Sequence, residues 1–121
     1  MDAEKFEQKF RSKVYNKSIH MSTEGYIESQ KKFIEHSMEV NEDENLVIPM
    51  EEMAELTQHL SKVLRGKEPY YDNYPLIEEL ADVQICIDRL KLYLDISDDD
   101  LKYAMEVKIE NSLDKFEKGL M

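Results

Sequence analysis

Four carboxylates stand where their chemistry could matter: Glu52 and Glu55 in the run MEEMAEL, and Glu79 and Asp82 in EELADV. Each pair is spaced i and i+3, so on a helix both members point the same way and can grip one ion. At about 100° per residue, Glu79 falls inside the arc formed by Leu76, Leu80, Val83, Ile87 and Leu90, and Asp82 lies about 60° to one side. In the first pair, Glu52 sits at the edge of a stripe made by Met53, Leu56, Leu60 and Val63, and Glu55 flanks it similarly. A buried carboxylate without a partner is costly, and four close together repel one another. Arg89 and Lys62 are too few to neutralise them, whereas a divalent cation held by oxygen ligands resolves the charge problem. Ligation by carboxylates without His or Cys favours magnesium, with manganese as a possible substitute, over zinc. The plain alternative is a solvated acidic helix face, common in a chain with 27 acidic residues. Recurrence of the pair beside two apolar stripes argues against it. Glu51 and Glu78 project to other faces and read as surface charges.

The elements that must position these acids are helices. Pro49 suits the first turn of one helix, which Gly66 ends; Met53, Leu56, Leu60, Val63 and Leu64 recur at helical spacing between them. The acids of the second pair lie on a helix from about Pro75 to Leu94. A preceding helix spans Glu24 to Val40, and the stretch Asn41–Asn45 reads as a loop. A last helix starts at Ser97 or Asp98, either of which can cap it, and runs to Lys118. Residues 67–74, KEPYYDNY, connect the two acid-bearing helices. Residues 1–21 form an N-terminal arm with helical spacing at Phe6, Phe10 and Val14, and residues 22–121 form the domain. The expected fold is therefore all-α, a bundle of four to five helices. The helix from Pro75 is apolar over much of its circumference, which predicts burial against a second subunit, hence a homodimer or homotetramer.

Composition narrows the function. A chain of 121 residues holds one domain. Charged residues make up 36% while Gly and Pro number three each, which favours long helices over a sheet with many tight turns. A formal net charge of −11 argues against nucleic acid or an anionic membrane as partner. No apolar run approaches the roughly 20 residues of a membrane span, and MDAEKFEQKFRSK lacks the apolar core of a signal peptide, so a cytoplasmic location is expected. The lone Cys86 makes no intramolecular disulfide and supplies no zinc cluster.

With its acids paired as Glu52-Met-Ala-Glu55 and Glu79-Leu-Ala-Asp82, the chain resembles the MazG-like all-α nucleoside triphosphate pyrophosphohydrolases, in the short stand-alone form of bacteria and phages. Lys108-Ile-Glu-Asn111 is similar to the lysine and asparagine that follow in that family's last helix. The likeness covers roughly residues 26–118. It implies that Glu52, Glu55, Glu79 and Asp82 hold magnesium against a nucleoside triphosphate, and that water attacks the α-phosphorus to give the monophosphate and pyrophosphate. Glu55 would be the general base, Lys108 would offset phosphate charge, and Asn111 would bond phosphate or sugar. The family often stacks the base on tryptophan, which this chain lacks; Tyr26, Phe33 and Tyr74 could substitute, and the base pocket stays unassigned. Phosphoribosyl-ATP pyrophosphatase chemistry, a nucleotide-binding sensor without turnover, and a non-catalytic adaptor remain the alternatives. His59 follows Glu55 by one turn, but the Glu-x-x-His of di-iron bundles is absent from both acid-bearing helices, so His59 reads as structural.

Overall fold

The computed structural model describes residues 20–66 and 74–119, and within them four helices and no strand. The first, α1, spans Thr23–Val40. Ser22 caps it: its hydroxyl oxygen accepts from the Gly25 N–H at 3.0 Å. At the far end the Asn41 N–H donates to the Ser37 carbonyl, and the Asn41 side chain accepts from the Asp43 N–H at 3.1 Å. That Asx turn reverses the chain within three residues.

α2 spans Glu44–Leu64. It starts earlier than the sequence suggested, and Pro49 is buried inside it rather than opening it. The entry is built from short i to i+3 bonds, with the N–H groups of Glu44, Asn45 and Leu46 donating to the carbonyls of Asn41, Glu42 and Asp43. The Asn45 side chain reinforces it by donating to the Glu42 carbonyl at 2.9 Å. A proline this close to a helix start forfeits one ladder bond while its fixed φ still fits the helix. Gly66, at φ 72°, ends the element in the left-handed conformation that glycine adopts without steric cost.

α3 spans Tyr74–Tyr93 and α4 spans Asp98–Glu117. Between them Asp95 takes φ 55°, and Ser97 caps α4 by accepting from the Asp100 N–H at 3.0 Å. The expected arm over residues 1–21 lies outside the described residues except for 20 and 21, which are not helical; the connection over 67–73 also lies outside them. No helix among the described residues is long and apolar enough to cross a membrane.

The middle helix is α3, with α2 packed extensively along it, α1 against another face, and α1 and α2 touching only lightly. A polar clasp fixes α1 to α3. The Gln30 amide, 2% exposed, donates to the Ile85 carbonyl at 2.9 Å and to the Tyr26 hydroxyl at 3.1 Å, and its oxygen accepts from Arg89 Nε at 2.9 Å. The Tyr26 hydroxyl donates in turn to Asp88 at 2.7 Å, and the Arg89 guanidinium lies 4.5 Å over the Phe33 ring. Full burial among the described residues is confined to Gln30, Ser37, Asn45, Pro49 and Cys86. On α4 every residue from Lys102 to Glu117 is exposed.

The buried face of α2 also differs from expectation. Met53 and Leu60 are 40% and 48% exposed, and Leu80 on α3 is 49% exposed. The strip that faces the neighbouring helices is instead Asn45, Pro49, Glu52, Leu56, His59 and Val63, all buried or half-buried. The sequence holds two strips of equal periodicity offset by one residue, and periodicity alone does not tell which of them a neighbour covers.

Candidate metal centre

The inward rotation of α2 carries Glu52 from the edge of its stripe into the contact with α3. Glu55, one turn on, stays exposed, and Glu79 in the second turn of α3 is half-buried. One carboxylate oxygen from each of these three residues lies within 4.8 Å of the others. Two of those side chains carry an oxygen that water cannot reach and that no donor satisfies: Glu52 Oε2 and Glu79 Oε2. Among the described residues only Asn45 Oδ1 shares that condition. Buried polar atoms are nearly always paired, because an unpaired one costs about 1–3 kcal/mol and a charged one more.

Electrostatics shows the same strain. Burial raises the Glu79 carboxyl above its ordinary value, and the negative charges of Glu55 and Asp82 add to the rise while His59 works against it. Glu52 is also raised by burial first and then by Asp82 and Glu55. Asp82 is raised by burial and by the charges of Glu55 and Glu78. Each acid thus resists ionising in the presence of the others, which is the condition a cation relieves.

The residues suit a hard divalent cation. The donor set is all oxygen, two of its atoms lack any other partner, and the exposed Glu55 leaves one side open to a ligand. Of the four acids read from the sequence, the structure gathers Glu52, Glu55 and Glu79; Asp82 is exposed and outside that trio, and acts on Glu52 and Glu79 through its charge. Lys108 and Asn111 stand exposed on α4, and neither forms a hydrogen bond or ion pair among the described residues, so the single chain does not join them to the acids.

Two neighbours to which the sequence assigned no part in the site stand close to the acids. His59 lies half-buried on the same strip as Glu52 and close enough to Glu79 for its charge to be felt there. Cys86, one turn past Asp82, has its thiol raised by burial, with Arg89 opposing and Glu52 and Asp82 adding to the rise. The four-residue spacings from Glu55 to His59 and from Asp82 to Cys86 put each on the same side of its helix as an acid.

Of the candidate stacking rings, Tyr26 is engaged in the Asp88 clasp, the Phe33 ring carries Arg89, and the Tyr74 side chain lies outside the described residues. A cleft of ≈ 410 Å³ opens beside Tyr26, Asp88 and Lys91, where Lys91 pairs with Asp98. Asp88 follows Glu79 by nine residues, so this cleft is on the opposite side of α3 from the acids. Comparison with protein-family models, with curated proteins and with solved structures finds no match to this chain.

Proposed function

We propose that this protein is a magnesium-dependent nucleoside triphosphate pyrophosphohydrolase of the MazG-like kind. The observation that carries the reading is the pair of unsatisfied buried oxygens, Glu52 Oε2 and Glu79 Oε2, in a group of three carboxylates joining α2 to α3. A helix pair gains nothing from burying such atoms unless a cation completes them.

Glu52, Glu55 and Glu79 would hold the ion, with Asp82 adding charge at its edge. When bound, magnesium (or manganese) supplies neutralisation of the triphosphate and polarisation of its oxygens. Glu55, the exposed member, takes the proton from the attacking water as general base. The new bond forms at the α-phosphorus, the bond to the β-phosphate bridging oxygen breaks, and pyrophosphate leaves. The roles of Lys108 toward phosphate and of Asn111 toward phosphate or sugar require α4 to be carried over the carboxylates, which the isolated chain does not do. Association into a homodimer or homotetramer, in keeping with the exposure of α4 and the sparse burial, offers one route. A cytoplasmic setting, where nucleotides and magnesium abound, belongs to the same proposal.

The test is pyrophosphate release from a panel of ribo- and deoxyribonucleoside triphosphates and phosphoribosyl-ATP, with and without magnesium. Turnover that requires magnesium and disappears in Glu79→Gln at unchanged helical content is the expected result. No release from any substrate, together with stabilisation by magnesium, would shift the reading to a nucleotide sensor. Absence of both effects would leave a helical adaptor.

A further inference from the structure

α2 carries a second seam that no other helix among the described residues covers. Leu46, Met50, Met53, Thr57, Leu60 and Leu64 follow one another at intervals of four, three, four, three and four residues, the repeat of a coiled-coil contact line. Their five large apolar members are between 40% and 88% exposed. Thr57, the one polar member, donates its hydroxyl to the Met53 carbonyl at 3.0 Å, so it satisfies itself and can be covered without loss. Eighteen residues of helix make a line about 27 Å long.

We propose that this seam docks against the same seam of a second copy, antiparallel, about a twofold axis level with residue 55. Two properties of α2 select this occupant and this direction. The seam is a palindrome about that point: reversal places Leu46 on Leu64 of the second copy, Met50 on its Leu60, and Met53 on its Thr57, so apolar side chains meet everywhere except at Thr57, whose hydroxyl is already bonded to its own helix. Charge is distributed the opposite way. The acids Asp43, Glu44, Glu51, Glu52 and Glu55 occupy the first half, and the bases Lys62 and Arg65 the second. Antiparallel pairing brings Arg65 level with Asp43 and Glu44 of the other copy, within about 3 Å along the axis. It also opposes the helix dipoles, whereas parallel pairing would stack like charges on like. The contact lies about a right angle away from the strip that carries Glu52, on the side away from Glu55, and leaves the acids open. It is independent of the metal reading.

The full-length chain is to be tested by light scattering and by oxidative cross-linking of cysteine variants. Wild type should have twice the mass of one chain, and Leu60→Glu should be monomeric at unchanged helical content. Met50→Cys combined with Leu60→Cys should form a covalent dimer, while either single variant should not, because like positions are separated by about 15 Å along the axis and a disulfide needs Cα atoms within about 7 Å. Cross-linking of Met50→Cys alone would overturn the antiparallel direction. A wild-type monomer would overturn the dimer, and a dimer that persists in Leu60→Glu without cross-linking of the double variant would place the contact elsewhere, on the exposed stripe of α4 for example. Stabilisation by magnesium depends on Glu52, Glu55 and Glu79 of one chain and is read whatever the mass of the assembly, so failure here and failure of the metal reading are separable.

Discussion

Replacing Glu79 by glutamine should stabilise the metal-free protein and abolish its response to magnesium. The side chain keeps its shape, loses its charge, and gains an amide that can donate to the carboxylates it formerly repelled. With ligand oxygens within 4.8 Å of one another, each carboxylate pair repels by about 3.5 kcal/mol at an effective dielectric of about 20 and by about 0.9 kcal/mol in bulk water. Glu55 is exposed, so the lower figure weighs more heavily. A net relief of roughly 1–2 kcal/mol remains, and each kcal/mol moves the melting midpoint of a domain this size by roughly 4 °C. Magnesium acts oppositely: at about ten times its dissociation constant it stabilises wild type by about 1.4 kcal/mol. Thermal melts followed by far-ultraviolet dichroism should therefore show Glu79→Gln ahead of wild type in chelator, and wild type catching up as magnesium is added. A variant that melts lower than wild type in chelator, or one that gains from magnesium as much as wild type does, would refute the argument that the acids are an uncompensated cation site.

The raised carboxyls of Glu52, Glu79 and Asp82 set a pH dependence. Their folded values exceed their unfolded ones, so the stability they contribute is fully present below about pH 4 and is lost as pH rises through the raised values. The metal-free melting midpoint of wild type should accordingly fall relative to Glu79→Gln between pH 4 and neutrality, as judged by paired melts, and the magnesium response should grow over the same window. Gln30→Ala removes the hub of the clasp between α1 and α3 and leaves Arg89 without its acceptor; it should cost roughly 2–4 kcal/mol by urea denaturation, and a loss under half a kcal/mol would show the clasp to be ornamental. Ser97→Ala should cost α4 about 1 kcal/mol of local stability, seen as faster amide exchange in its first turns. Gly66→Ala meets no neighbouring atom among the described residues, so its expected loss of about 1 kcal/mol comes from the left-handed backbone.

Local chemistry was plain in the sequence. Helix ends followed from residues that act within a turn or two of themselves: Ser97 as a cap, Gly66 as a stop, and the apolar spacing of the helices between. The i, i+3 pairing of Glu52 with Glu55 likewise depends only on helical geometry, as does the placing of Glu79 toward the inside of α3. Pro49 misled because proline is tolerated throughout the first turns, and side-chain bonds of Asn41 and Asn45 start the helix five residues earlier.

Only tertiary contacts decided the rest. α2 bears two strips of equal periodicity one residue apart, and the choice between them turns on which side α3 occupies. That choice moved Glu52 inward, turned Met53 and Leu60 outward, and brought Glu52, Glu55 and Glu79 together across two helices. It also left Asp82 exposed beside the trio, within reach of its charges, and Lys108 and Asn111 exposed on α4. The periodicity of a helix records which residues share a face; which face meets a neighbour is settled by packing against residues distant in the chain, and no local pattern carries that information.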